Sequence, residues 1–470
     1  MKQIYIIGQY QLVRFLRNKL MVSSLLFFFI LCIFSLFYGK KFVEKQEKVI
    51  YPIDTLNQKR DIETKALLSE LEDSVLTEKQ QYFALTLAQR KGNTAIYRPT
   101  AFSSFSIGQK DNYPYYKKIS FGNNVYDVEV SEIQNPDKLQ VGNFDLSFMF
   151  IYLAPLLIIA LGYNALSGEE DNNTIRLLKM QVSESKIIAG KLLFLFAILT
   201  IAATVASFTG FYLNDMNIHE HGSKLIVWLL ISYSYFFFWI GIVAFVISFK
   251  ANSSINALVL GSIWIISLLL VPSIVHREVT SSKDNQLVDI LLNKRGDGVN
   301  ILEIPKEKLV DTMYTMSHPY AIDLDSSVST QIIQLAAGTE IRTRENNSLG
   351  RAIVDKQQKE YEKAEGFNII NPGYTIQNAY NRLAGTEIEN YHDYLLAAEE
   401  YQTRMRYLIY DYMFRPRKFT LADYEAFPVF TYQQLQFTWK ACIQALSPIY
   451  LLSLLLYVGS GLVIWRQVKD

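Results

Sequence analysis

The sequence predicts an α-helical membrane protein that crosses the bilayer six times. Its apolar residues form six runs, no run has Lys, Arg, Asp or Glu in its interior, and long polar segments follow the first and fifth runs. A helix needs about 20 apolar residues to span the hydrocarbon core of a bilayer, and each run is long enough. The predicted spans are Leu20–Gly39, Leu146–Leu166, Leu192–Leu213, Leu225–Phe249, Ile255–Val275 and Ala441–Trp465.

The distribution of Lys and Arg predicts the orientation. These residues are concentrated in the N-terminal segment, in the loop after the second span and at the C-terminus. Cytoplasmic loops carry such an excess, so we expect both termini in the cytoplasm and the chain in the inner (cytoplasmic) membrane. The two long polar segments, 40–145 and 276–440, then lie outside and are called the outer segments.

The N-terminal segment has apolar residues opposite charged ones, which predicts an amphipathic helix in contact with membrane lipids. A simple extension of the first span is the alternative. The predicted order is 1–19 interfacial helix, 20–39 first span, 40–145 first outer segment, 146–166 second span, 167–191 cytoplasmic loop, 192–213 third span, 214–224 outer loop, 225–249 fourth span, 250–254 cytoplasmic loop, 255–275 fifth span, 276–440 second outer segment, 441–465 sixth span and 466–470 cytoplasmic tail.

The outer segments are predicted to be mostly helical with some β structure. In the first, helical spacing of apolar residues runs through Asp61–Arg90, and a short strand pair is expected around Lys118–Val130. In the second, Asn371-Pro372-Gly373 interrupts the helical pattern. The best helices of the second segment are Ser327–Ala337, Leu349–Ala364 and Tyr391–Phe414.

Several function classes are disfavoured by composition and motifs. The net charge of +1 indicates no nucleic-acid partner. Cys32 and Cys442 lie in or beside apolar runs, which is typical of small buried hydrophobic residues. His219-Glu220-His221 has no further ligand nearby in sequence, so we expect no metal site. There is no GxxxxGK[ST] loop and no hydrolase signature, so we expect neither an enzyme nor a cofactor on this chain.

Any transport would draw its energy from another protein, because the spans lack the ionisable residues that ion-coupled carriers usually need. The loop 167–191 is acidic first and basic afterwards, as expected of a short helix seated in a soluble motor. Negative charge suits a helix start, and Leu177 and Leu178 supply part of an apolar stripe. The predicted coupling residues are Glu169, Glu170, Asp171, Thr174, Leu177, Leu178 and Lys191.

This loop resembles that of permeases of the type-2 ABC exporter (ABC-2) class. After their second span these carry a small-Gly-Glu-Arg-Glu-x-Gly-Thr segment, then a Leu-Leu pair, a Pro-containing turn and a Gly-Lys pair. The chain departs from this pattern at Glu170, Asn173 and Gln181, which replace a basic residue, a glycine and the usual proline. The matching residues are Ser167-Gly168-Glu169, Asp171, Thr174, Leu177-Leu178 and Gly190-Lys191.

The large insertions after the first and fifth spans resemble a subgroup of this class whose insertions have no known function. That subgroup is similar to the permease of nitrous oxide reductase maturation. The resemblance implies a separate ABC ATPase, in two copies, that binds ATP and Mg²⁺, and a second permease chain that is identical or different. Further matching motifs are Asn135-Pro136, Gly142-Asn143-Phe144-Asp145, Pro155, Asn371-Pro372 and Leu383-Ala384-Gly385-Thr386.

Hydroxyl side chains in the third and fourth spans are candidates for a substrate path. Thr200, Thr204, Ser232 and Tyr235 either bond to neighbouring helices or line the path. The leading hypothesis is an exporter of a peptide, a lipid-linked molecule or an antibiotic. Two alternatives stay open: a permease that transports nothing and transmits ATP-driven motion to a periplasmic partner, and a membrane scaffold without an ATPase.

Overall fold

The computed structural model describes residues 2–71, 86, 91, 93–111, 113–127, 143–171, 180–279, 304–317, 329–415, 417–435 and 438–469. Its helices are α1 (Lys2–Arg17), α2 (Lys19–Leu71), α3 (Leu146–Phe148, a π-helical turn Met149–Leu153, and Ala154–Gly162), α4 (Ser167–Asp171), α5 (Glu184–Leu213), α6 (Ile218–Ile247), α7 (Ser253–Ile265, a π-helical turn Ile266–Leu270, and Val271–Val279), α8 (Lys306–Ser317), α9 (Thr330–Glu365), α10 (Pro372–Ala384), α11 (Ile388–Phe414), α12 (Leu421–Ala426) and α13 (Trp439–Lys469).

Six helical stretches in the described part of the chain are long and apolar enough to cross a membrane: α2, α3 with α4, α5, α6, α7 and α13. This confirms the predicted α-helical six-span fold class. The central helix of the bundle is α6. Within the chain, 78% of its most apolar 18-residue stretch is buried, whereas 17% of the corresponding stretch of α7 is buried. The apolar surface of α7 therefore faces outward from this single chain.

An irregular turn in α3 is stabilised by side chains of two other spans. Pro155 has no N–H to donate to the carbonyl four residues earlier, that of Ile151. The Tyr235 hydroxyl of α6 donates to this carbonyl at 3.2 Å. The indole N–H of Trp264 in α7 donates to the neighbouring Tyr152 carbonyl at 3.1 Å. The π-helical turn thus fixes α3 against α6 and α7.

The first span does not end where apolarity ends. The helix α2 continues beyond Gly39 to Leu71 without a break. Gly39 allows the short 3₁₀ turn Ala101–Ser104 to pack directly on α2, because a Cβ at this position would overlap the Ser104 carbonyl. The first outer segment is therefore built onto an extension of the first span.

The β structure differs from the prediction. Strands β1 (Thr94–Ile96) and β2 (Tyr116–Lys118) pair antiparallel with Ala95 opposite Lys117. The expected pair around Lys118–Val130 was wrong, because β2 ends at Lys118 and its partner comes from earlier in the chain; residues 128–130 lie outside the described residues. The sheet is two-stranded in the described part of the molecule.

The two outer segments share one core. In α11 the Tyr394 hydroxyl donates to the Ala95 carbonyl of β1 at 2.9 Å, and the Tyr97 hydroxyl donates to the Gly385 carbonyl at 3.1 Å. The predicted helix Tyr391–Phe414 corresponds to α11, whereas the two predicted helices before Asn371 are one continuous helix, α9. The two segments therefore fold together although the sequence separates them.

The helix α10 packs into the bundle rather than only onto the outer core. Asn371 caps its first turn, with Pro372 at the first helical position. The Tyr380 ring packs on Trp228 of α6 at 4.1 Å between ring centroids. The Tyr380 hydroxyl lies 2.8 Å from the Ser232 hydroxyl, near the middle of α6. A part of the second outer segment thus reaches between the spans.

Candidate functional site

Three charged residues meet where the second span ends, and we call them the ion cluster: Arg14, Glu169 and Lys191. Glu169 Oε1 accepts hydrogen bonds from Arg14 Nη1 at 2.7 Å and from Lys191 Nζ at 2.8 Å. Lys191 Nζ also donates to the Ala165 carbonyl at 2.7 Å. The exposed fractions of these side chains are 37% for Arg14, 13% for Glu169 and 7% for Lys191. The cluster is largely shielded from water, with Arg14 at its exposed edge.

The packing of α1 on α5 brings the charges together. Gly190 is needed here, because a Cβ at this position would lie 2.7 Å from Cγ2 of Ile7 in α1. One turn further along α5, the Phe194 ring packs edge-on against Phe15 of α1 at 5.9 Å between ring centroids. The neighbour of the glycine, Lys191, then extends to Glu169. The Gly-Lys pair thus combines a close approach of helices with a cation.

The far end of the loop is held by further polar contacts. Lys186 Nζ donates to Gln3 Oε1 of α1 at 3.0 Å, and Gln3 Nε2 donates to the Gln181 carbonyl at 3.3 Å. Lys250, just after α6, pairs with Glu184 at 3.1 Å.

The near end of the loop is also tied to α7. The Ser253 hydroxyl, at the start of α7, donates to the Ser167 hydroxyl at 2.8 Å. The described ends of the loop therefore contact α1, α5, Lys250 in the turn after α6, and the first residue of α7.

Of the predicted coupling residues, the structure brings Glu169 and Lys191 into direct contact. Glu170 and Asp171 belong to α4, but their side chains are not described, and Thr174, Leu177 and Leu178 lie outside the described residues. Sequence reasoning missed Arg14, which it used only as a sign of orientation. Its place in the amphipathic N-terminal segment, which is predicted to lie on the same side of the membrane as the acidic start of the loop, is the signal that was present.

The four hydroxyl residues proposed for a substrate path fall into two groups. The Thr204 hydroxyl bonds to Tyr233 in α6 and donates to the Thr200 carbonyl, while the Thr200 hydroxyl donates to the Ala197 carbonyl. Ser232 and Tyr235 are fully buried on a different face of α6. Ser232 bonds to Tyr380, and Tyr235 to the π-helical turn of α3. All four hydroxyls have protein partners.

A second polar group, here called the polar layer, lies at the opposite end of α3: Ser106, Ser147, Gln377 and Asn381. Asn381 Oδ1 accepts from Ser106 Oγ at 2.7 Å and from Gln377 Nε2 at 2.9 Å. Gln377 Nε2 also donates to Ser147 Oγ at 3.2 Å. The layer joins the first outer segment, the start of α3 and α10 by neutral groups from three distant parts of the chain.

Asp145 borders the polar layer and caps α3. Its carboxylate accepts hydrogen bonds from the Ser147 hydroxyl at 2.6 Å, from the Ile107 N–H at 2.8 Å and from the Phe148 N–H at 2.9 Å. Burial raises the pKa of this carboxyl to about 6, and the three donors act in the opposite direction. The carboxylate holds the 100–110 loop against the start of the span.

Metal-binding residues are not grouped in the described residues: no three of His, Cys, Asp and Glu come together there. His219 and His221 belong to the first turns of α6, where Asn217 caps the helix. Cys32 and Cys442 are free thiols and both are buried.

The sequence comparison decides the family. The family described as ABC-2 family transporter protein matches residues 12–382, which include the ion cluster, the polar layer and most of α10. The chain belongs to the ABC-2 transporter family. It is therefore a multi-pass membrane component of a transporter, and the family works with an ABC ATPase. No curated protein matches this ABC-2 chain significantly.

Proposed function

We propose that this chain is the permease subunit of an ATP-driven exporter in the inner membrane, with both termini in the cytoplasm. The loop 167–191 receives motion from the ATPase and passes it to the spans. The observation that carries the proposal is the ion cluster, because it ties the start and the end of the loop to each other and to α1. A displacement of the loop cannot occur there without moving three elements.

The contacts give the motion three routes into the bundle. Glu169 and Lys191 connect the loop to α3 and α5. Arg14 connects it to α1, which is separated from α2 by Asn18 alone. Ser167 connects it to the first residue of α7. We propose that Glu170, Asp171, Thr174, Leu177 and Leu178 complete the contact surface for the ATPase.

The expected complex has two ATPase chains, which bind ATP and Mg²⁺, and two permease chains, identical or different. The outward apolar surfaces of α2, α7 and α13 support contacts with membrane lipids and with a second permease. The long outer segments support membership of the subgroup that is similar to the nitrous oxide reductase maturation permease.

We propose that the substrate passes along α6, where Thr200 and Thr204 of α5 lie on one side and the buried Ser232 and Tyr235 on another. Such a path requires Thr200, Thr204, Ser232 and Tyr235 to exchange their protein partners for substrate. The bond between Ser232 and Tyr380 supports this, because withdrawal of α10 would uncover Ser232. A peptide, a lipid-linked molecule and an antibiotic remain the substrate candidates.

The test is gentle purification of the tagged chain from its own host, with mass spectrometry and an ATPase assay. We expect a stoichiometric ABC ATPase that is lost in the double variant Glu169→Lys, Leu178→Asp. The matched control is Glu362→Lys, Leu396→Asp, at two exposed outer positions, which should retain the ATPase. An unchanged complex in the first variant would contradict the role of the loop. A chain that purifies without any ATPase would favour the scaffold.

A second function, transmission of motion to a periplasmic partner, is favoured by a cleft in the outer core. The cleft has a volume of about 740 Å³ and is lined by both outer segments and by α2. One wall is a polar face of α2 from Asp54 to Lys65, and the other includes Ile96 and Phe430. The volume lies within the range of ligand sites, and the lining is more polar than is usual for a small-molecule pocket.

Cross-linking from the rim of the cleft separates the two functions. The exposed residues Gln58 and Thr431 are replaced singly by Cys and carry a photo-activated cross-linker. Because the native thiols are buried, the introduced thiol is the one that reacts. A defined extracytoplasmic adduct in cells would support the partner, and its absence at both positions would contradict this function.

A further inference from the structure

A cavity of about 530 Å³ opens at the joint between α1 and α2. Its lining combines cations with apolar and aromatic side chains, and no described carboxylate belongs to it. The joint is formed by Asn18, whose side chain Oδ1 accepts hydrogen bonds from the N–H groups of Leu20 and Met21 and so caps α2. The lining residues are Tyr10, Val13, Arg14, Arg17, Asn18, Lys19 and Leu20.

The positive charge of this cavity is only partly neutralised. Arg14 pairs with Glu169 across the edge of the cavity. Arg17 and Lys19 are exposed, and among the described residues neither has an acidic side chain within ion-pair distance. Two exposed cations in one cavity, with no counter-charge among the described side chains, create a positive potential that attracts anions.

The surroundings point to a lipid as the source of the anion. Ile7 and Phe15 face α5, while α1 presents an exposed apolar stripe on its other side that reaches the cavity. Cations at the end of a span next to an exposed apolar surface lie at the level of phospholipid headgroups. The stripe consists of Ile6, Tyr10, Val13 and Leu16 of α1, and Leu20 of α2 continues it.

Arg14 belongs to two neighbouring cavities. It lines the open cavity at the α1–α2 joint and also a small one of about 50 Å³ that contains Lys191. The Arg14 side chain therefore contacts the open cavity while its guanidinium group bonds to Glu169 of the ion cluster. It has five N–H donors, of which Nη1 bonds to Glu169. An anion in the open cavity would share this guanidinium with the carboxylate.

We propose that the cavity at the α1–α2 joint binds the phosphate of an anionic phospholipid through Arg14, Arg17 and Lys19, in competition with Glu169 for Arg14. The acyl chains lie along Val13, Leu16 and Leu20. The site itself does not depend on the proposed export function. Because binding equilibria are reciprocal, an anionic lipid weakens the bond between α1 and the loop to the same degree that Glu169 weakens lipid binding.

The test is titration of the purified full-length chain with phosphatidylglycerol and with phosphatidylcholine, followed by native mass spectrometry. We expect clearly tighter binding of phosphatidylglycerol. The double variant Arg17→Gln, Lys19→Gln should lower this affinity about 30-fold, since each cation near a membrane surface contributes about a factor of 5. The matched control, Lys359→Gln with Lys363→Gln on α9, removes the same charge elsewhere and should bind as the wild type does. Thermal unfolding of each variant confirms that it is folded.

Two further measurements separate the parts of the proposal. Glu169→Gln should tighten phosphatidylglycerol binding a few-fold, because the competing carboxylate charge is removed; unchanged affinity would overturn the sharing of Arg14. Inorganic phosphate at millimolar concentration should not displace the lipid. Complete displacement would assign the site to a soluble anion, and equal affinities for the two lipids would overturn the site altogether.

Discussion

The two ends of the span α3 are held by opposite chemistry. At its far end the ion cluster joins three charged side chains, and Arg14 is 37% exposed. At its beginning, where Ser147 precedes Glu169 by 22 residues, the polar layer joins hydroxyl and amide groups that are buried or half-buried. The bond between Arg14 and Glu169 lies at the water-exposed edge of the cluster, so it breaks at a moderate cost because water and salt replace the partner. A buried neutral donor without a partner costs more. The difference indicates that the ion-cluster end of the span can separate from its neighbours, whereas the polar-layer end stays attached.

The largest effect is expected from Glu169→Lys, which turns the ion cluster into three cations. Repulsion and the loss of two hydrogen bonds should cost roughly 2–4 kcal/mol and separate α1 from the loop. We expect nucleotide-stimulated transport to fall about tenfold or more in reconstituted vesicles. Glu362→Lys, at an exposed position of α9, is the control. If Glu169→Lys kept full transport activity, the ion cluster would have no role in the transport mechanism.

The next largest effect is expected from Asn381→Leu in the polar layer. The hydroxyl of Ser106 and the amide of Gln377 lose their shared acceptor, at about 1–3 kcal/mol. Thermal unfolding in detergent should occur several degrees lower and be independent of salt concentration. Asn123→Leu, on an exposed loop, should leave the unfolding temperature close to that of the wild type. Equal stability of both variants would show that the layer does not hold this end.

A smaller effect is expected at the contact between α10 and α6. Ser232→Ala and Tyr380→Phe each remove one side of the same hydroxyl pair, at about 1 kcal/mol each. Because the two groups share one bond, the double variant should lose clearly less than the sum of the single losses. Strict additivity in a double-mutant cycle would show that this bond is not formed.

The last effect depends on pH, is smallest near pH 5, and concerns a buried carboxyl group in the outer core, that of Glu387. Burial raises the pKa of Glu387 to about 8. The carboxyl group therefore keeps its proton in the folded state, whereas in the unfolded chain it loses the proton at about pH 4.3. The stability contributed by this group is therefore present below pH 4.3 and falls as the pH rises to 8.

Glu387→Gln does not titrate, and it keeps an oxygen to accept the hydrogen bond from Asn390. We expect the unfolding temperature of the variant, relative to the wild type, to rise by a few degrees between pH 5 and pH 8. Burial lowers the pKa of the neighbouring Lys110 to about 7, and the charge of Glu387 acts on it in the opposite direction. If the unfolding temperatures of the variant and the wild type changed in parallel with pH, the proposed exclusion of charge around Glu387 would be contradicted.

The six spans and the loop were predictable because composition and local order encode them. Apolar runs specify spans, and the order of Glu169, Leu177-Leu178 and Gly190-Lys191 specifies the loop. The bond between Arg14 and Glu169 was not predictable, since it joins residues 155 positions apart and depends on the packing of α1 against α5.

The position of α10 was not predictable for a different reason. Its sequence, PGYTIQNAYNRLA, has the balanced polarity of a water-exposed helix. The polar side chains instead satisfy one another in the polar layer, and Tyr380 fills space beside Trp228. The strand pair was misplaced because β1 and β2 are too short for periodicity to locate them. The roles of Thr174, Leu177 and Leu178 stay predictions.

The most direct test of the central claim is cross-linking from the loop to the ATPase in the purified complex. Met180 is 83% exposed and both native thiols are buried, so a cross-linker on Met180→Cys reports from the loop alone. The account predicts an adduct with the ABC ATPase whose yield changes when ATP binds. Leu396→Cys on α11 should give no such adduct. An ATPase adduct from Leu396→Cys and none from Met180→Cys would contradict the account.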